Sequence, residues 1–185
     1  MALERITVKK LFSLSPERFD EYHNSLKHVL PKAEIKSIPA NDIYSLTFSN
    51  VVWLKAFIQN TTFENFVKAY QMIFGIDKSE FLKCDVVEFY QSFNWIQNQM
   101  LDLIDGEKRL DSDIEPELKE AGIDELNIFG ELNTLITIGK EFGKSPAEIE
   151  QWSYSMVFAL SLHNNISSGI NKRHSKILSK KNGNG

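Results

Sequence analysis

The chain has 185 residues, 42% of them apolar and 25% charged, with a formal net charge of −4 and a single cysteine, Cys84. That length holds one domain with a real core, or a small domain and an appendage, and the composition is that of an ordinary globular protein. An intramolecular disulfide is excluded, the acidic balance gives no global reason to expect nucleic-acid binding, and no apolar run approaches the roughly 18 residues of a membrane span.

Thirteen phenylalanines against nine glycines and five prolines point to helices packed on aromatic side chains. The start MALERITVKK lacks the apolar stretch of a signal peptide, so a reducing cytosol is the expected compartment. A first helix is expected from Ser15, with Pro16 in its first turn and Glu17, Asp20 and Glu21 near the positive end of the dipole. Phe19, Tyr22, Leu26 and Val29 keep helical spacing, and Pro31 stops it. In AEIKSIPANDIYSLTFS, Ile35 and Ile38 precede a turn-like PAND, and Ile43, Tyr44, Leu46 and Phe48 follow with rough alternation, which predicts a short β-hairpin.

From Ser49 the pattern is helical. Ser49 is read as the cap of NVVWLKAFIQ, Thr61 with Glu64 as a capping box for TFENFVKAYQMIF, and Gly75 as its stop. Asp77 with Glu80 opens a predicted long helix over residues 78–104. Along it Leu82, Val86, Phe89, Phe93, Ile96, Met100 and Leu103 alternate spacings of four and three, a heptad seam for the core or for an oligomer. Such a helix is about 40 Å long at 1.5 Å per residue.

Between Asp105 and Glu125 nine acids face three bases, with Pro116 and Gly122 among them. This stretch reads as a solvated linker or loop. Apolar spacing resumes at Leu126, Phe129, Leu132, Leu135, Ile136 and Phe142. Ser145 is then an expected N-cap, with Pro146 at the first helical position and Glu148 closing a capping box. Beyond Ile170 the segment NKRHSKILSKKNGNG carries five bases and no acid, and is expected to fray. The expected fold is a mainly α helical bundle with one long heptad-patterned helix and a small N-terminal β-hairpin. Its expected organisation is a helical region with the hairpin and the long helix over residues 1–104, an acidic linker or loop over 105–125, a helical module over 126–170 and a flexible basic tail over 171–185.

Reaction chemistry is not spelled out anywhere in the chain. His23, His28, His163 and His174 are scattered, with no H-E-x-x-H or C-x-x-C spacing. His163, among Leu160, Leu162 and Ile166, reads as a core-edge histidine, and Cys84 as a buried structural thiol. Phosphate loops and nucleophile elbows are lacking, and the clustered carboxylates sit where nothing would desolvate them. Gly139 and Gly143 fit a close approach and a C-cap better than a phosphate cradle. The expectation is a non-enzymatic protein with no metal or cofactor.

The quoted parts FGELNTLITIGKEF, GKSPAEIEQW and the closing apolar helix, followed by a basic tail, resemble the C-terminal module of tail assembly chaperones from long-tailed bacteriophages. The likeness covers the last third of the chain. It implies a mainly α protein that coats the tape-measure protein before tail-tube polymerisation, in the cytoplasm of the infected host, with self-association and no membrane contact. A helix-in-groove contact would then use Trp152, Met156 and Leu160, with Val157, Phe158 and Leu162 holding the helix on its own domain. The end SKKNGNG fits the same reading, since Lys180, Lys181 and Asn182 can be encoded by a heptamer on which ribosomes slip back by one nucleotide to make a longer form. Two other readings stand beside it: a virion component such as a neck or head–tail ring subunit, and a small regulatory protein binding through the basic tail.

Overall fold

The computed structural model describes residues 4–110 and 119–182. The fold is mainly α with one small antiparallel hairpin, and the chain forms two compact units, Met1–Leu46 with Asn50–Ile104, and Thr47–Ser49 with Asp105–Gly185.

The first unit begins with α1 (Val8–Leu11), capped by the Thr7 hydroxyl, and α2 (Pro16–Leu26), with Pro16 in its first turn. Strands β1 (Glu34–Ile35) and β2 (Ile38–Pro39) pair Ile35 with Ile38. The hairpin exists, but its turn is Lys36–Ser37, both at positive φ (50° and 62°), and not Pro39–Asp42. Two successive left-handed residues are what a tight hairpin matching the strand twist requires. The expected second strand is instead a 3-10 turn, Ile43–Ser45, because the Asp42 carboxylate caps it by accepting from the Tyr44 N–H at 3.0 Å.

Helix α3 (Phe48–Phe57) starts one residue before Ser49 and buries Val51, Leu54 and Phe57. Helix α4 (Phe63–Phe74) is capped by Thr62 and not by Thr61: its hydroxyl accepts from the Asn65 N–H at 3.3 Å. Gly75, at φ 70°, ends it in the left-handed conformation that glycine adopts without steric cost.

The predicted long helix is two helices, α5 (Lys78–Leu82) and α6 (Val86–Glu107). At Cys84 and Asp85 the backbone leaves helical geometry to pair with the N-terminal segment. The Val8 N–H donates to the Cys84 carbonyl at 2.9 Å, and the Val86 N–H to the Ile6 carbonyl at 3.0 Å. Asp85 then caps the new helix, its carboxylate accepting from the Val87 N–H at 2.8 Å. Tertiary pairing thus satisfies the groups that a helix break would orphan. Past the break the spacing holds: Val86, Phe89, Phe93, Ile96, Met100 and Leu103 are all buried. Leu82 is only partly covered, and the fully buried Phe81 takes its place in the core.

The core of this unit is aromatic. The Phe89 ring lies 5.2 Å from Phe66, 5.7 Å from Tyr70, 5.9 Å from Phe81 and 6.1 Å from Phe93, and Phe66 meets Phe57 edge-on at 5.3 Å. The buried hydroxyls among them are satisfied: that of Tyr70 donates to the Phe89 carbonyl at 2.8 Å and meets the Ser92 hydroxyl. Its burial pushes the Tyr70 pKa well above the phenol range.

In the second unit α7 (Glu131–Phe142) ends at Gly143, φ 63°. Gly139 one turn earlier allows a close approach: a Cβ there would stand 2.5 Å from the Lys144 carbonyl oxygen. Helix α8 (Pro146–Ile149) carries the expected capping box, with the Glu148 N–H donating to the Ser145 hydroxyl and the Ser145 N–H to the Glu148 carboxylate at 2.9 Å. That backbone bond, then the Lys144 ammonium and the Ser145 hydroxyl, holds the Glu148 pKa down at about 2, against an ordinary 4.5. The folded pKa is depressed, so the contribution is complete above about 4.5 and is lost as pH falls toward about 2. Melting temperatures measured across that range should drop less steeply for Glu148→Gln than for the wild type. Ser145→Ala should cost about 1 kcal/mol at neutral pH.

Helix α9 (Tyr154–Asn182) follows a short non-helical link. The Phe48 N–H donates to the Trp152 carbonyl at 2.8 Å and the Ser49 N–H to the Glu150 carbonyl at 3.2 Å, which ends α8 and delays the new helix to Tyr154. Residues 171–182 continue α9 where a fraying tail was expected, because no glycine or proline interrupts Ile170–Asn182 and lysine, arginine and leucine favour helix. Of the acidic stretch 105–125, residues 111–118 lie outside the described residues, as do 183–185 of the tail. Its first part ends α6 and forms a 3-10 turn, Lys108–Leu110.

Candidate protein-interaction site

Helix α9 is fixed to its unit at one end. Tyr154 is buried, stacks on Phe48 at 6.1 Å and on Phe158 at 6.0 Å, and donates from its hydroxyl to the Glu107 carboxylate at 2.7 Å. Val157 one turn on is wholly buried. Further along, the Asn165 amide donates to the Leu110 carbonyl at 2.9 Å, and Asn164 to the Glu141 carboxylate at 2.9 Å. Between α7 and the distal half of α9 runs a groove of about 660 Å³ lined by Thr137, Asn164, Ser167, Ser168 and Asn171, with Lys172 and Lys176 at its end. Its lining residues carry hydroxyl, amide and ammonium groups.

Among the described residues, ten of the thirteen exposed large apolar side chains belong to the second unit. Ile128 is 83% exposed and Met156 47%, with Leu126, Phe129 and Leu132 beside Ile128 in the chain and Ile166, Ile170 and Ile177 following Met156 along α9. Scattered exposed apolar residues are ordinary, and their concentration in the second unit makes it the candidate interaction surface.

Of the three residues expected to face a partner, Met156 and Leu160 lie one turn apart on α9, Met156 exposed and Leu160 partly covered. Trp152 precedes the helix and packs edge-on against Phe142 at 5.6 Å, which makes it part of the link to α7. Val157 is buried as expected, while Phe158 and Leu162 are only partly so. The heptad residues of α6 are core and offer no open seam to a partner.

Reactive groups are not gathered. Among the described residues no three His, Cys, Asp or Glu side chains come together in a metal-holding group. Cys84 lies in the break between α5 and α6, its thiol donating to the Glu80 carbonyl at 3.3 Å and pushed up to about 11 by burial, the state of a structural thiol. His163 is exposed and not at the core edge, and the ring of His23 stacks on Phe19 with Nδ1 3.3 Å from the Tyr90 hydroxyl. No helix among the described residues is long and apolar enough to cross a membrane.

Sequence reasoning missed Ile166, Ile170 and Ile177. Their spacing of four and seven was visible, but the run of bases after Asn171 read as a tail. Comparison of the chain with protein-family profiles, with curated proteins and with solved structures gives no match.

Proposed function

We propose that this chain is a non-enzymatic assembly chaperone of bacteriophage tails, which coats the helical tape-measure protein in the infected cell until tail-tube subunits replace it. The observation that carries this reading is the exposed apolar surface of the second unit, set on a well-capped scaffold. A chaperone of this kind needs apolar side chains that a partner covers and later releases. Side chains such as Ile128, in the 3-10 turn Ile123–Phe129, and Met156, in the first turn of α9, are exposed in the lone chain and meet that need without requiring the fold to open. The likeness of GKSPAEIEQW and the following helix to tail assembly chaperones supports the same assignment.

The test is co-expression of the tagged chain with a tape-measure protein encoded beside it. Co-purification is expected, and Ile128→Glu with Met156→Glu should abolish it while leaving circular dichroism unchanged, since both side chains are exposed. Unchanged co-purification of the double variant would place the contact elsewhere. Recovery of the chain in finished virions would assign it to the particle itself, since an assembly chaperone leaves before completion.

A further inference from the structure

Helix α9 carries Ile166, Ile170 and Ile177 of its distal half on the side away from the groove, while Leu178 continues the stripe of Asn171. Asn164, Ser167, Ser168 and Asn171 face the groove, whereas Ile166, Ile170 and Ile177 are each a little over half exposed. Met156, Ala159, His163, Ile166, Ile170 and Ile177, with Arg173 between the last two, are all exposed and alternate spacings of three and four. That is heptad spacing over about 32 Å of helix, with Met156, Ala159, Ile166, Ile170 and Ile177 apolar and His163 and Arg173 polar.

Charge selects the occupant. No aspartate or glutamate occurs anywhere in α9, and its five bases all lie beyond Asn171. Arg173 stands in the apolar row, Lys176 lies between that row and the end of the groove, and neither makes an ion pair among the described residues. A second copy fits poorly. Laid parallel it sets bases against bases, and laid antiparallel it brings them to the Met156–His163 end, which holds no acid to meet them.

We infer that the outward row of α9 docks an amphipathic helix of another protein, with apolar residues at heptad spacing and acidic residues flanking them at one end. The apolar anchors supply affinity, and Arg173 and Lys176 set direction and choice of partner. This inference names the chemistry of a partner and stands whether or not that partner is a tape-measure protein.

The probe is a synthetic helical peptide of three heptads with leucine at the seam positions and glutamate beside them, labelled for fluorescence anisotropy. A second peptide carries lysine in place of every glutamate. The intact chain should bind the glutamate peptide at least about tenfold more tightly than the lysine peptide, with the preference shrinking as salt rises. Ile166→Ser with Ile170→Ser should weaken binding about a hundredfold at an unchanged melting temperature. Arg173→Glu with Lys176→Glu alters charge while leaving the isoleucines of the row in place, and should reverse the preference between the two peptides. Equal binding of both peptides overturns the inference. So does a dimer in sedimentation that Ile166→Ser with Ile170→Ser dissolves, since a second copy would then occupy the row. Retention on phosphatidylserine vesicles or on duplex DNA, without peptide binding, overturns it as well.

Discussion

Phe89→Ala will destabilise the first unit by about 3–5 kcal/mol, the usual range for truncating a buried phenylalanine and leaving a cavity. The upper part of that range is expected, for three reasons. Phe89 is only 2% exposed. Its ring touches six other aromatic rings, those of Phe12, Phe66, Tyr70, Phe81, Tyr90 and Phe93. Those rings come from α4, α5, α6 and the end of α1, which surround the gap on several sides. Its backbone carbonyl also accepts the Tyr70 hydroxyl, so a shift of α6 to fill the cavity would strain that bond. Chemical denaturation followed by circular dichroism reads the loss. Phe93→Ala, at the end of the cluster and slightly more exposed, should lose less. Near-wild-type stability of Phe89→Ala would mean that the aromatic packing is looser than the ring distances indicate.

That core was largely legible beforehand, because the α6 seam from Val86 to Leu103 keeps helical spacing whatever packs against it. The break before it was not. Leu82, Val86 and Phe89 continue the same spacing across Cys84 and Asp85, and only the aspartate, a good N-cap residue, hinted at a second start. What ends α5 there is pairing with Ile6–Val8, nearly eighty residues earlier in the chain, and no local pattern encodes it. The hairpin turn failed for the opposite reason. Lys36 and Ser37 take left-handed angles that glycine or asparagine usually announces, while Pro-Ala-Asn-Asp offered a more conventional turn nearby. The capping box at Ser145 was readable in full because all its partners lie within four residues. Of the residues expected to face a partner, Met156 is exposed and Leu160 partly covered. Exposure depends on what the rest of the fold covers, and spacing alone could not show that Trp152 is committed to Phe142.

Tyr154 is where the second unit depends most on one side chain, and Tyr154→Ala should cost about 3–5 kcal/mol, as truncation of a large buried aromatic does. The ring stacks between Phe48 and Phe158, and the hydroxyl reaches the Glu107 carboxylate at 2.7 Å. One residue thus ties the 47–49 segment, the end of α6 and the start of α9. Tyr154→Phe separates the two contributions: it keeps the stacking and removes the hydrogen bond to a charged group, for a loss of about 1.5–3 kcal/mol. Tyr154 and Val157 are the buried apolar residues of α9, with Phe158, Leu160 and Leu162 partly covered beside them. Tyr154→Ala should therefore loosen α9 from its root to its tip, and hydrogen exchange of its amides should rise along its full length. The isoleucine variants Ile166→Ser and Ile170→Ser should leave that exchange unchanged near Tyr154, since their side chains face solvent. Protection of residues 154–165 retained in Tyr154→Ala would show that the asparagine contacts to Leu110 and Glu141 hold the helix by themselves.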